Sequence, residues 1–158
     1  MPLRHRSIVL VAAAFFAGCG GSSSPVDDAG VVNCANDARV STYTPNMTVN
    51  STAGAIKVSL VSSPGPPARG NNVWTLHITN ASGTAMSGIS LGYKTIMPDH
   101  GHGSPISNPA ITDKGAGNYD VNPVDLFMPG VWHVWFYNAT PGSSTPTDTA
   151  DFFFCVQG

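Results

Sequence analysis

From Thr42 to Val156 apolar and polar positions alternate over short stretches broken by turn-forming residues, the period of strands with one buried face. Thr42–Val49 is the first and least regular of these. In Ala55–Val61, Ile56, Val58 and Leu60 fall on one side and Lys57 and Ser59 on the other. Pro64-Gly65-Pro66-Pro67 ends this run, and Arg69-Gly70-Asn71-Asn72 is read as the following turn. Val73–Thr79 alternates most clearly, with Trp74, Leu76 and Ile78 predicted to be buried and His77 to face solvent. A further strand is expected from Ile89 to Ile96, a short one at Tyr119-Asp120-Val121, and an aromatic one over Val131–Asn138. That last run puts Trp132, Val134 and Phe136 on one face and His133, Trp135 and Tyr137 on the other. Asp151–Val156 closes the series. No stretch combines a helix start signal with a helical period. About seven short strands with frequent turns predict an all-β fold, an immunoglobulin-like antiparallel β-sandwich.

The first forty residues do not share this pattern. Arg4 and Arg6 precede the apolar run Ile8–Phe16, which is too short for a good membrane span, so residues 1–18 read as an export signal. The run ends in Phe16-Ala17-Gly18-Cys19, which resembles the bacterial lipoprotein signal and implies a lipid on Cys19 as the membrane anchor. Gly20 follows that cysteine where an aspartate would direct inner-membrane retention, so the outer membrane is the favoured site. Residues 19–40 are expected to be a flexible tether, beginning with Gly20-Gly21-Ser22-Ser23-Ser24-Pro25, and 41–158 the folded domain.

Cys34 and Cys155 then remain. In an oxidising compartment they are expected to form a disulfide, whereas a metal-ligand role has no CxxC spacing behind it.

Composition narrows the function. The chain carries a net charge of −2 and has no glutamate; removing Arg4 and Arg6 leaves five basic residues against nine aspartates, a net of −4. Without a basic patch, nucleic-acid binding is not expected. The Walker loop, the dinucleotide fingerprint and the HExxH motif are all missing from the sequence, so an enzyme is not expected either.

The chemistry is concentrated where Ile89–Ile96 ends. Met97-Pro98-Asp99-His100-Gly101-His102-Gly103 brings a thioether, a carboxylate and two imidazoles into one loop. His100 and His102 are two apart, so in an extended stretch their rings project to one side, and the glycines let the loop turn them toward a single ion. Imidazole suits copper and zinc, whereas a thioether suits copper(I). Met128 and His133, in Met128-Pro129-Gly130-Val131-Trp132-His133, are candidates to complete the site from a facing sheet. Asp99 reads as a turn-former or as a carboxylate orienting a histidine.

This loop, with Gly117-Asn118-Tyr119 and Met128-Pro129-Gly130-Val131-Trp132 in the same order, resembles the YtkA-like family of exported bacterial proteins over roughly Gly70 to Tyr137. The sequence departs from the commonest pattern at Asp99-His100 and in adding His102. The resemblance implies a small β-sandwich associated with copper handling, and a copper-receiving protein as partner. The expected metal ligands are therefore Met97, His100, His102, Met128 and His133, with copper as the metal. The alternative is an immunoglobulin-like module that binds a protein or glycan, with Trp135 and Tyr137 as an exposed aromatic patch.

Overall fold

A computed structural model of the chain describes residues 33–139, 146 and 148–158. The expected export signal, the lipidated Cys19 and the tether up to residue 32 lie outside the described residues.

Eight strands form two antiparallel sheets, with no helix among the described residues. They are β1 (Met47–Asn50), β2 (Ile56–Ser63), β3 (Gly70–Asn80), β4 (Leu91–Ile96), β5 (Ala110–Gly115), β6 (Asn118–Leu126), β7 (Gly130–Asn138) and β8 (Ala150–Val156). One sheet has the order β1-β2-β3-β6-β5 and the other β4-β7-β8. With β1 set aside, the order β2-β3-β6-β5 over β4-β7-β8 is the connectivity of a seven-stranded constant-type immunoglobulin sandwich. The expected fold is therefore present, with one strand added at an edge.

The alternation read from the sequence sets the core. Val58 and Leu60 of β2, Trp74, Leu76 and Ile78 of β3, and Tyr119 and Val121 of β6 are buried against Val134 and Phe136 of β7 and Phe152 and Phe154 of β8. Trp74 bridges the sheets, its ring centroid 6.1 Å from that of Phe136 and 5.5 Å from that of Phe154. Aromatic pairs at such separations stabilise a core beyond the area they bury. His77 is exposed as expected, its Nδ1 3.1 Å from Asn118 Oδ1.

Three local expectations change. Strand β5 was not anticipated, because Ala110-Ile111-Thr112-Asp113-Lys114-Gly115 is an edge strand with mostly exposed side chains and so shows no apolar alternation. Arg69–Asn72 is not a free turn, since β3 already starts at Gly70. Asn72 is fully buried there, accepting from Ala68 N at 2.9 Å and donating to Ala68 O at 2.8 Å and Val124 O at 3.2 Å.

The third change concerns the segment before residue 41, expected to be tether. Cys34 is bonded to Cys155, as anticipated, and Ser41 N donates to Phe153 O at 3.0 Å. A covalent bond and a backbone pairing thus draw residues 34–41 onto the domain, whose folded part begins earlier than 41.

Candidate functional site

The loop after β4 is a closed turn. Met97 O accepts from His100 N at 3.1 Å and from Gly101 N at 2.9 Å, and Met97 N donates to His102 O at 2.8 Å. Gly101 has φ +71°, a left-handed conformation that disfavours residues with a Cβ. Gly103 lies so close to β4 that a Cβ would come within 2.5 Å of Thr95 O. The glycines flanking His102 are thus required by a turn and by a close approach.

Met97 and His102 are antiparallel bridge partners, which puts both side chains on the same side of the turn, with Cβ atoms about 4.5–5.5 Å apart. Met97 is fully buried, His102 half-buried and His100 exposed. The two imidazole centroids are 5.6 Å apart. Two histidines sharing one ion through bonds of about 2.0 Å would have ring centroids about 5–6 Å apart, so the observed spacing fits a common ion.

The segment between β6 and β7 closes the other side. The His102 ring is 5.6 Å from that of Phe127, and Phe127 is 5.7 Å from Trp132. Trp132 is fully buried, and its Nε1 donates to Met128 O at 2.9 Å. Gly130 leaves room for Met97, because a Cβ there would lie 2.7 Å from Met97 Cε. The two segments singled out in the sequence therefore do meet, with Met128 half-buried beside the core.

His133 does not join them. Strands β4 and β7 are neighbours in one sheet rather than on facing sheets, and Trp132 occupies the inward position, so His133 points outward. Its ring stacks on Phe153 with centroids 4.1 Å apart and lies 4.4 Å from Trp135, and its Nε2 is 2.7 Å from Asp151 Oδ1. Thr149 Oγ1 donates to the other oxygen of Asp151 at 2.7 Å.

Asp99 also departs from expectation. Its carboxylate takes both ends of the Arg39 guanidinium, at 2.8 Å and 2.7 Å, rather than orienting a histidine. The hydrogen bonds from Arg39 hold Asp99 below the usual carboxylate range. Phe127 and Arg39 were both missed in the sequence. Phe127 had a signal in its place beside Met128-Pro129, but nothing local links Arg39 to a residue sixty positions on.

The model of the family described as YtkA-like matches residues 50–135, more than half of the chain. The chain belongs to the YtkA-like family. Comparison with curated proteins and with solved structures finds no match. In this YtkA-like chain the matched span contains the loop after β4, Phe127 and Met128, whereas Cys34, Arg39 and β8 lie outside it. Among the described residues no three His, Cys, Asp or Glu side chains cluster closely enough to hold a metal. A metal here would be held by the imidazoles of His100 and His102 together with methionine sulfur, and that donor set fits copper(I) better than zinc.

Proposed function

We propose that this YtkA-like protein binds copper at the cell envelope, anchored to the outer membrane through a lipid on Cys19, and passes the metal to a receiving protein. The observation that carries the reading is the pair His100–His102, with ring centroids 5.6 Å apart on the bridge that sets His102 beside buried Met97. Met97 and Met128 supply soft sulfur toward the interior, and exposed His100 forms the outer side through which a partner would take the ion. The protein acts in this reading as a carrier, not an enzyme.

The full-length protein in detergent is expected to bind about one copper(I) ion per chain, measured by competition with a chromogenic chelator. Replacing His100 and His102 together by alanine should abolish that binding. Unchanged affinity in the double variant would move the site elsewhere.

A second reading has one observation in its favour, the half-exposed row His133, Trp135, Tyr137 and Phe153 on the outer face of the β4-β7-β8 sheet. There the domain is a module for a protein or glycan partner. It predicts that copper leaves the melting temperature unchanged while Trp135→Ala abolishes partner binding.

A further inference from the structure

The histidine loop is fastened by a residue from outside the strands that carry it. Arg39 donates through Nη1 and Nη2 to the two oxygens of Asp99 at 2.8 Å and 2.7 Å. The same guanidinium donates through Nε and Nη2 to the two oxygens of Asp37 at 2.9 Å and 2.6 Å, so it is gripped from both sides. Asp37 N in turn donates to Cys34 O at 3.1 Å, and Cys34 is covalently joined to Cys155 in β8. The chain Cys155–Cys34–Asp37–Arg39–Asp99 thus runs from the last strand to the residue next to His100. A planar guanidinium makes this double fork, which an ammonium does not reproduce.

We propose that Arg39 is a positioning residue for the copper loop. By fixing Asp99 it holds the turn from Met97 to His102 in the form that faces His100 and His102 toward one ion, and the Cys34–Cys155 bond keeps Arg39 in reach. The inference rests on the copper reading of the loop. Asp99 sits within the turn that Met97 O closes on His100 N and Gly101 N, so freedom at Asp99 becomes freedom of the His100 ring. A loop only partly populated in the competent form binds its metal more weakly by that fraction. The pair is half exposed, so its effect is bounded to that of a good surface network.

The test uses the full-length protein in detergent with Arg39→Ala, Arg39→Lys, Asp99→Asn, the Arg39→Ala/Asp99→Asn pair, and Cys34→Ser/Cys155→Ser. Two quantities are read, copper(I) affinity by chelator competition and amide hydrogen exchange of residues 98–104 without metal. Arg39→Ala and Asp99→Asn should each weaken copper(I) binding roughly three- to tenfold. Together they should weaken it no further, while Arg39→Lys recovers part of the loss. Loop amides should exchange faster in Arg39→Ala and in the cysteine pair. Full affinity in Arg39→Ala, or additive losses in the pair, would overturn the proposal while copper binding itself stood. If the parent protein binds no copper(I), the copper reading fails instead, and unchanged loop exchange in Arg39→Ala then overturns the positioning role on its own.

Discussion

Met97 fills the core beside Gly130 and, in the copper reading proposed above, would also offer its sulfur to the ion. Leucine can do the first and not the second. Met97→Leu is therefore expected to cost less than about 1.5 kcal/mol of stability, as volume-conserving swaps do. Its copper(I) affinity should fall about tenfold or more with copper(II) affinity little changed, since a thioether matters to the softer ion. Denaturant unfolding and parallel titrations with the two ions check this. Part of the loop could be read in advance. A methionine before Pro98 and two histidines among glycines announce a loop with donors, and the chain did fold them together. His133 could not be settled that way, because whether β7 faces β4 or pairs with it is a matter of topology. Its outward direction followed from alternation with Trp132, and the carboxylate it bonds, Asp151, lies on another strand.

The elements divide by how much apolar surface they bury. Strands β2, β3, β7 and β8 alternate because one face of each lies in the core, and their sequences showed it. Edge strand β5 buries almost nothing and left no pattern. The segment Cys34–Ser41 was illegible for the same reason, being held by a disulfide, a backbone bond and the Arg39 fork instead of a hydrophobic face. That segment carries a pH prediction. The Arg39 hydrogen bonds bring the Asp37 carboxyl down to about 2 and lower that of Asp99 as well. Both groups are deprotonated more readily in the folded than in the unfolded chain, so their contribution is present above an unfolded carboxylate value of about 3.9. It is lost as pH falls through the folded values. Thermal unfolding followed from pH 5 downward should show a declining melting temperature below about pH 4, and Arg39→Ala should flatten that decline.

At the scale of the molecule, the Cys34–Cys155 bond closes nearly the whole domain into one loop, with a sequence separation of 121. Constraining so long a loop in the unfolded chain is worth about 4–5 kcal/mol in the chain-entropy model. The Cys34→Ser/Cys155→Ser variant is expected to lose stability approaching that amount, measured as a lower denaturant midpoint with a steeper slope, because the chain freed of the bond unfolds to a less compact state. Pairing of the two cysteines was deducible from their number once export and a lipid on Cys19 were inferred, but not where the bond would lie relative to the histidine loop.

That location has a mechanical meaning. A pull on the chain upstream of Cys34 enters β8 through a bond between sulfurs, and from there spreads into β7 along seven paired positions from Gly130 to Phe136. Strand β1, held by four paired positions to β2, comes after Cys34 in the chain and is shielded from the load. A load entering this way would be borne by the β7–β8 ladder of the smaller sheet, leaving β1 at the edge of the larger sheet slack.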